Sequence, residues 1–406
     1  MTTSIISSLQ PFLQQVWEKS EFESPTQVQE QAIPKVLEGQ DLLIESPTGT
    51  GKTLAYLIPI IEKIDIQKQH PQAVILAPSK ELAMQILGEL QKWTEGSEIV
   101  TTSLIGGANV KRQLEKLKKR PHIIVGTPGR LYELVQLKKL KMHEVKTVVL
   151  DEGDQLLTSE HLPSIKNIVK ATLADRQVLL ISATINEAAT SIANELMKVP
   201  ALVKVEKDAE SQAKVEHFYV VCEQRDKVNI LANVVRESKM KALAFVRDIG
   251  NLSVVAEKLA FKQLNVGVLH GDSTKREREV ALKEFRNAEY PILLATDIAA
   301  RGLDIKELTH VVQYDVPMDE ASYTHRAGRT GRQGASGTVI SIVTPREERE
   351  LKQIAKKIGV TLQKREVFGG KLVEEKPERP QRSQRPQKSF KSTKKNAPNR
   401  NKKHTK

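Results

Sequence analysis

Short apolar runs alternate with longer, helix-like stretches along most of the chain. Continuous apolar runs are typical of strands that are covered on both faces in a parallel sheet. The segments between the runs are long enough for crossover helices, so the pattern predicts an α/β fold. In the first half, the predicted strands are Asp41–Glu45, Ala73–Ala77, His122–Gly126, Thr147–Leu150 and Val178–Ser182.

The same architecture repeats in the second half, although no residue-level repeat links the two halves. A chain of 406 residues is too long for one ordinary core. We predict one domain at residues 1–207, a short polar linker at 208–213 and a second domain at 214–365. The predicted strands of the second domain are Phe218–Cys222, Ala242–Val246, Val266–Leu269, Ile292–Thr296, His310–Tyr314 and Thr338–Val343.

The net charge of +13 is concentrated near one end of the chain. Lys376–Lys406 contains twelve lysines and arginines and one acid, so it holds +11 and the other 375 residues hold only +2. This segment has one aromatic residue, Phe390, and too little apolar surface to fold alone. We predict a disordered basic tail at residues 366–406 that favours polyanions, with a merely solvated tail as the alternative.

Three features of the sequence indicate the cellular compartment of the protein. Cys222 is the lone cysteine, so no intramolecular disulfide can form, and we interpret it as a buried small hydrophobe. The N-terminus lacks the basic and apolar segments of a signal peptide. The longest apolar run, Leu54–Ile61, is far shorter than the roughly 20 residues of a membrane span. We expect a cytoplasmic protein without a membrane partner.

A glycine-rich turn follows the first predicted strand. Residues Ser46–Thr53 read Ser-Pro-Thr-Gly-Thr-Gly-Lys-Thr and lead into a helix-like stretch, which is the context that a phosphate-binding P-loop requires. Gly49 and Gly51 let backbone N–H groups close around phosphate oxygens. Lys52 can reach the β- and γ-phosphates, and Thr53 can hold Mg²⁺.

Two acids follow a later strand. The apolar run Val148–Leu150 ends in Asp151 and Glu152. Alone, such a pair is as often a helix cap or a surface charge. With the P-loop upstream, we predict that Asp151 holds Mg²⁺ and that Glu152 orients and deprotonates the attacking water.

The segment Asp151-Glu152-Gly153-Asp154 resembles the motif of the DEAD-box RNA helicases, within superfamily two. The resemblance covers residues 22–332, and the family's motifs appear in the family's order. In the first half, the similar segments are the Q motif at Phe22–Gln29, motif Ia at Pro78–Ala83, the GG motif at Gly106-Gly107, motif Ib at Thr127–Arg130 and motif III at Ser182–Thr184. In the second half, they are motif IV at Ala244–Arg247, the block His270–Asp272 with Arg278, motif V at Ala295–Asp304 and motif VI at His325–Arg332.

The resemblance implies two tandem RecA-like domains with parallel sheets, which use ATP and Mg²⁺ as cofactors. It assigns catalysis to Lys52, Asp151, Glu152, His325, Arg329 and Arg332, the last two as arginine fingers. It assigns ATP binding to Phe22, Thr26, Gln29, Thr48, Gly49, Thr50, Gly51, Lys52, Thr53, Gly302 and Asp304. It assigns Mg²⁺ binding to Thr53 and Asp151, and coupling of hydrolysis to RNA to Asp154, Ser182 and Thr184.

The resemblance also implies an RNA partner. The expected RNA contacts are Pro78, Lys80, Gly106, Gly107, Thr127, Gly129, Arg130, Arg247, Gly271 and Thr296. Small residues dominate this set, which suits phosphate and ribose contacts that do not read sequence. Preference for RNA over DNA would come from 2′-hydroxyl contacts, and the tail would add salt-sensitive affinity. We interpret Trp17 and Trp93 as packing residues rather than base-stacking platforms.

Four residues depart from the family's pattern. Gly153 replaces an alanine, and because both are small we expect ATPase activity to survive. Glu21 replaces the usual glycine before the Q motif, and Lys275 replaces a glutamine. Lys80 replaces an arginine, so it keeps the charge but not the bidentate fork.

We predict a monomeric ATP-dependent RNA helicase that separates RNA duplexes locally, with ribosome biogenesis as a family-level expectation. Because the P-loop and motif VI lie in different halves, hydrolysis should need closure of the two domains, which are expected to be open without ligands. A DNA-directed motor and an ATP-gated RNA clamp or assembly scaffold with weak unwinding are the alternatives. Comparing RNA with DNA stimulation, and a duplex-separation assay, would discriminate them.

Overall fold

The structure is a computed structural model that describes residues 2–20, 22–47, 49–205, 215–237, 240–300, 305, 308–331, 335–369 and 371–374. The predicted linker and most of the predicted tail lie outside these residues, as do the predicted site residues Thr48, Gly302, Asp304 and Arg332. None of the helices in the described ranges combines the length and the apolar character that a membrane span needs.

Residues 2–205 form the first domain, a parallel sheet between two layers of helices. Its strands are β1 (Leu42–Glu45), β2 (Ala73–Leu76), β3 (Thr101–Leu104), β4 (Ile123–Gly126), β5 (Thr147–Asp151), β6 (Gln177–Ser182) and β7 (Ala201–Lys204). Its helices are α1 (Thr2–Ser7), α2 (Pro11–Lys19), α3 (Gln27–Leu37), α4 (Lys52–Glu62), α5 (Lys80–Trp93), α6 (Val110–Lys118), α7 (Pro128–Gln136), α8 (Gly153–Leu156), α9 (Leu162–Lys170) and α10 (Glu187–Leu196).

The strands of this sheet lie in the order β3-β4-β2-β5-β6-β1-β7, and all neighbours are parallel. Successive side chains of a strand point to opposite faces. Leu42 and Ile44 therefore enter the core beneath α3, α4 and α5, whereas Leu43 enters the core beneath α7 and α9. Because both faces are covered, the strands read as continuous apolar runs.

The second domain repeats this layered arrangement in residues 215–374. Its strands are β8 (Val215–Val221), β9 (Ala242–Phe245), β10 (Gly267–Leu269), β11 (Ile292–Ala295), β12 (His310–Gln313), β13 (Gly337–Val343) and β14 (Gln363–Lys364), followed by β15 (Glu366–Phe368) and β16 (Lys371–Val373). Its helices are α11 (Lys227–Glu237), α12 (Ile249–Phe261), α13 (Lys275–Arg286), α14 (Asp297–Ala300), α15 (Glu320–Ala327) and α16 (Pro345–Lys357).

The second sheet has the order β10-β11-β9-β12-β13-β8-β14 and is also parallel. Cys222 follows β8 and packs against the core, but it is half-buried rather than fully buried as expected. Burial raises the pKa of its thiol to about 11, so the thiol stays protonated at neutral pH.

All the strands predicted from apolar runs are present, with bounds within one residue except that β8 begins three residues early. The prediction missed β3, β7, β14 and the antiparallel hairpin β15–β16. The first three are edge strands, which pair on one side only and carry fewer buried apolar residues. The continuous apolar run that marks a central strand is therefore missing from them.

The predicted start of the tail at residue 366 is wrong. Val367 and Leu372 of the hairpin pack against the core of the second domain. Arg365 lies over the ring of Phe218 at 4.7 Å and pairs with Glu374 at 2.8 Å. These contacts extend the second domain to residue 374, because a few apolar residues and a stacked arginine are enough to fasten a short hairpin to an existing core.

Helices that follow strands begin at the carboxyl edge of each sheet, where loop side chains cap them. The Ser79 hydroxyl accepts a hydrogen bond from the Leu82 N–H at 3.1 Å and starts α5. Thr274 and Glu277 form a capping box at the start of α13. Helix N-termini carry partial positive charge, so this edge of each domain suits anionic ligands.

Candidate active site between the domains

The predicted nucleotide residues of the first domain meet at the carboxyl ends of three neighbouring strands. Strand β1 leads into the P-loop, β5 ends at Asp151 and β6 ends at Ser182. Since β6 lies between β5 and β1, one strand separates the predicted Mg²⁺ carboxylate from the P-loop. The strand order thus brings distant parts of the sequence to one edge.

The P-loop turns on two glycines in the left-handed region of the backbone. Gly49 has a φ of 84° and Gly51 a φ of 90°, values that L side chains rarely adopt. Lys52 begins α4 and donates from Nζ to the Ser46 carbonyl at 2.6 Å. Burial lowers the pKa of Lys52, and nearby acids partly offset this effect. The protein itself therefore holds the lysine at the turn.

Two threonines complete the loop. The Thr50 hydroxyl donates to the Pro47 carbonyl at 2.8 Å and lies 2.7 Å from the hydroxyl of Ser46, the residue that replaces the first glycine of the general pattern. Thr53 lies in the first turn of α4, three residues before Tyr56 and on the same face of the helix. This face meets the end of β5, where Tyr56 contacts Asp151.

The Q motif is fastened directly to the P-loop. Gln29 donates from Nε2 to the Gly51 carbonyl at 3.1 Å and accepts the Thr26 N–H at 3.0 Å. A Cβ at Gly51 would lie 2.6 Å from that same Nε2, so only glycine fits. Both the nitrogen and the oxygen of the Gln29 amide thus bond to the protein's own backbone. The contact of Gln29 with adenine stays a prediction.

The aromatic residue of the Q motif lies on two tryptophans. Phe22 stacks on Trp93 with ring centroids 6.5 Å apart and planes 5° apart, and it lies 5.6 Å from Trp17. Both tryptophans are buried, so their interpretation as packing residues is confirmed. Phe22 itself is 47% exposed, and its predicted contact with ATP stays a prediction.

Asp151 is fixed at both carboxylate oxygens. Its Oδ2 accepts a hydrogen bond from the Tyr56 phenol at 2.8 Å, and its Oδ1 accepts the Glu152 N–H at 2.9 Å. Burial raises the pKa of Asp151 to about 6, with a further rise from the charge of Glu152 and an opposing effect from Tyr56. A cation beside this carboxylate would reverse the penalty of burial, as expected for a metal ligand.

Glu152 and Gly153 form a tight turn after β5. Glu152 has a φ of 53°, and its buried Oε2 has no hydrogen-bond partner among the described residues. A buried acceptor without a partner is available to bind a water molecule, as a general base must do. A Cβ at Gly153 would lie 2.3 Å from Cδ1 of Leu180 on β6, so alanine, the family's usual residue here, does not fit this packing.

A chain of hydrogen bonds joins the predicted coupling residues and crosses to the second domain. The Ser182 hydroxyl donates to Asp154 Oδ1 at 2.7 Å and also contacts the backbone of Thr184. Asp154 Oδ2 lies 2.5 Å from Nε2 of His325. Burial raises the pKa of Asp154, but the hydrogen bonds to His325 and Ser182 and the electrostatic effects of His325 and Lys52 outweigh it, so the net pKa lies below its usual value.

Two basic residues of motif VI lie near this edge. His325 and Arg329, with Asp154, line a cavity of about 360 Å³ between the domains. Arg326 is buried and holds Asp297 with two hydrogen bonds of 2.7 and 2.6 Å. The sequence did not single out Arg326, although its place inside motif VI could have suggested a supporting role.

The predicted RNA residues of the first domain meet at the carboxyl ends of β2, β3 and β4. Lys80 lies against the GG motif, where a Cβ at Gly107 would be 2.7 Å from its Nζ. The Gly106 N–H donates to the Thr127 hydroxyl at 3.1 Å. Pro78 lies two residues before the start of α5. Gly129 lies in the first turn of α7 with open space around it.

Arg130 does not lie on this surface. Only 9% of the residue is exposed, and its guanidinium donates to the Ala108 carbonyl at 3.1 Å and pairs with Glu133 at 2.9 Å. The structure therefore gives Arg130 a supporting position beneath the GG motif. Its direct contact with RNA stays a prediction, and burial on α7 was not visible from the motif alone.

The second domain brings its predicted RNA residues to three adjacent strands. Arg247, Gly271 and Thr296 follow β9, β10 and β11, which are neighbours in the sheet. The Arg247 N–H donates to Asp315 Oδ2 at 2.9 Å, while its side chain is exposed. Gly271 is exposed, and Thr296 is buried.

A second contact joins the domains beside the RNA residues. Arg278 of α13 lies 3.4 Å from Glu81 of α5, and both side chains are largely shielded from solvent. Together with the bond between His325 and Asp154, this pair makes the described arrangement a closed one. The open arrangement expected without ligands stays a prediction.

The chain belongs to the DEAD-box ATP-dependent RNA helicases. The family model for DEAD/DEAH box helicases matches residues 26–192, and the model for the helicase conserved C-terminal domain matches residues 226–334. The first match lies within the first domain and the second within the second domain.

Two curated relatives match almost from end to end. The chain is 54% identical to the probable ATP-dependent RNA helicase YfmL of Bacillus subtilis, over 91% of this chain and 98% of the relative. It is 51% identical to the DEAD-box ATP-dependent RNA helicase CshC of Bacillus cereus, over 92% and 96%. Among solved structures, S. cerevisiae Dbp5 bound to RNA and ADP BeF3 is similar, with a TM-score of 0.81 and 27% identity over 90% of this chain and 95% of Dbp5.

Proposed function

We propose that this ATP-dependent RNA helicase hydrolyses ATP only in the closed arrangement, at the cleft between the P-loop and motif VI. The observation that carries the proposal is the 2.5 Å bond between Asp154 and His325, which joins the acidic edge of one domain to the basic edge of the other. Arg329 lines the same cavity. Positive charge supplied there to the γ-phosphate is worth about 10³–10⁵ in rate.

Each residue of the nucleotide edge has a role in this proposal. The P-loop amides and Lys52 bind the phosphates, and Glu152 holds the attacking water and takes its proton. Thr53 and Asp151 would hold Mg²⁺, and the buried, doubly fixed carboxylate of Asp151 fits that role. When bound, Mg²⁺ would neutralise part of the phosphate charge.

RNA would lie across both domains at the carboxyl edges of the two sheets. In the first domain, it would contact the strands next to those that carry the nucleotide residues. Backbone N–H groups and small side chains at Gly106, Gly107, Thr127 and Thr296, with Lys80 and Arg247, suit phosphate and ribose contacts. Closure brings the two sets together, so bound RNA favours the state that hydrolyses ATP. Bending one strand to fit this surface would separate a duplex locally.

The remaining expectations concern the cellular role. We infer that the basic tail adds salt-dependent, sequence-independent affinity for structured RNA. We place the protein in the cytoplasm as a monomer, with ribosome assembly as its process. Deleting Lys376–Lys406 should weaken RNA binding and flatten its dependence on salt, while the basal ATPase rate stays unchanged.

The deciding experiment measures the ATPase rate with and without single-stranded RNA, beside the variant Glu152→Gln. Strong stimulation by RNA, lost in the variant while RNA binding persists, is the expected result. Stimulation by DNA to the same extent would point to a DNA-directed motor. RNA stimulation without duplex separation would favour the ATP-gated clamp, an alternative that the helicase relatives do not favour.

Coupling between the ligands gives a second test. Because ATP and RNA both favour closure, each should tighten binding of the other by the same factor. An ATP analogue whose affinity is unchanged by saturating RNA would contradict the closure mechanism, even if both ligands bind.

A further inference from the structure

One buried phenol lies beside the two residues that we assign to Mg²⁺. Tyr56 is fully buried on α4, three residues after Thr53. It donates to Asp151 Oδ2 at 2.8 Å. Residues three apart on a helix share a face, so α4 presents Thr53 and Tyr56 together to the end of β5.

The phenol decides how the Asp151 carboxylate is oriented. The Glu152 N–H fixes Oδ1 from the backbone, but a carboxylate held at one oxygen can still rotate about its Cβ–Cγ bond. Tyr56 fixes the second oxygen and removes that freedom. Hydrogen bonds from outside the ligand set commonly orient metal-binding carboxylates in this way.

We propose that Tyr56 is a positioning residue that orients Asp151 for Mg²⁺, so that the affinity for Mg²⁺-ATP depends on a hydroxyl outside the family motifs. The proposal rests on the assignment of Asp151 to Mg²⁺ under the proposed function. Phenylalanine at position 56 would preserve the ring packing of α4 and lose only the hydrogen bond to Asp151.

The variant Tyr56→Phe tests this in the full-length protein. We expect the Mg²⁺ concentration that half-saturates tight binding of a fluorescent ATP analogue to rise about tenfold, at the lower end of the roughly 10- to 100-fold effects seen when such supporting bonds are lost. In EDTA, the variant and the wild type should bind the analogue equally. A loss of affinity that is equal with and without Mg²⁺ would mean a structural role only and would overturn the proposal.

Tyr290→Phe is the matched control. Tyr290 is a buried tyrosine of the second domain whose phenol donates to the Ala281 carbonyl, far from the P-loop in the fold. It should leave the Mg²⁺ dependence unchanged. If wild-type binding depends on Mg²⁺ and Tyr56→Phe does not alter it, only this inference fails. If wild-type binding ignores Mg²⁺, the metal assignment of the proposed function fails with it.

Discussion

The two domains share one fold but contribute opposite charges to the cleft. The first domain supplies two acids, the buried Asp151 at the end of β5 and the half-buried Asp154 on α8. The second supplies His325 and Arg329 from α15 and the turn after it. In the mechanism that we propose, the first domain holds the phosphates and a metal, and the positive charge that stabilises the γ-phosphate comes from the second domain.

Among the described residues, the hydrogen-bond networks are more extensive inside each domain than between the domains. Tyr56 and Ser182 fix the acids from within the first domain, and the bidentate bonds from Arg326 to Asp297 order the second. Across the cleft, the bond between Asp154 and His325 is short, whereas Arg278 and Glu81 are 3.4 Å apart. Rigid halves joined by a few polar contacts form a switch that ligands can shift.

The largest expected effect comes from removing a cation of the second domain. Arg329→Ala should lower the RNA-stimulated kcat of ATP hydrolysis by about 10³–10⁵, because it withdraws positive charge from the γ-phosphate. Affinity for an ATP analogue should change far less, since the P-loop is in the first domain. Arg346→Ala on α16 removes an arginine whose side chain is 91% exposed and should behave like the wild type. A kcat within tenfold of the wild type for Arg329→Ala would contradict the division of charges.

Replacing Asp151 of the first domain should abolish activity but stabilise the fold. Since burial raises the folded-state pKa of Asp151 from 3.8 to about 6, its ionisation destabilises the fold as pH rises through this range. Asp151→Asn should therefore abolish ATPase activity and raise the free energy of unfolding by roughly 1–3 kcal/mol.

Urea unfolding without Mg²⁺ checks this sign. The gain from Asp151→Asn should be full at pH 8 and smaller at pH 5, where the wild-type carboxyl is already protonated. Asp175→Asn is the matched control, because the pKa of this exposed carboxyl is lowered by its bond to Lys146. Loss of the ion pair between Asp175 and Lys146 should slightly destabilise the protein at pH 8. A gain from Asp151→Asn that is independent of pH would contradict the burial argument.

The link between the domains should have a smaller effect on rate. Asp154→Asn or His325→Asn should lower RNA-stimulated ATPase activity by roughly 10- to 100-fold, since a hydrogen bond to a charged group such as the Asp154 carboxylate contributes about 1.5–3 kcal/mol. The double variant should be little worse than either single variant, because both remove the same contact. Additive losses would show that the two residues act separately.

Much of this arrangement could be predicted from sequence because it depends on patterns that survive in one dimension. The central strands are covered on both faces and so read as apolar runs. The P-loop, the acids after β5 and motif VI carry their chemistry in consecutive residues. Edge strands such as β3 and the hairpin β15–β16 lack an apolar signature, and they were missed.

Contacts that depend on tertiary packing could not be predicted. Tyr56 looked like one more apolar helix residue, because nothing near it in sequence shows that Asp151 lies at its hydroxyl. Arg130 looked exposed in its motif, but α7 carries it beneath the GG motif. Gly153 looked interchangeable with alanine, because the side chain that it meets, Leu180, is on the neighbouring strand.

The smallest expected effect restores the family's alanine to the first domain. In Gly153→Ala the new Cβ would lie 2.3 Å from Cδ1 of Leu180, which is 1% exposed on β6 and has little room to move. Overpacking of this kind costs roughly 1–3 kcal/mol, so urea unfolding should show a loss of that size. ATPase activity should fall with it, since Glu152 and Asp154 flank the displaced backbone.

A shorter side chain on β6 should relieve this clash. Adding Leu180→Val should recover stability in the Gly153→Ala background, although Leu180→Val alone should destabilise the wild type. Gly88→Ala is the matched control, because this helical glycine of α5 has open space around it and alanine should be neutral or stabilising by about 0.5–1 kcal/mol. If Gly153→Ala is as stable as the wild type, Leu180 can adopt another rotamer, and the glycine is not required by the packing of this domain. If only the double variant regains stability, Gly153 is required by the size of Leu180 on the neighbouring strand. The acidic edge of the first domain then depends on the packing of Gly153 against Leu180, whereas the basic edge of the second domain does not.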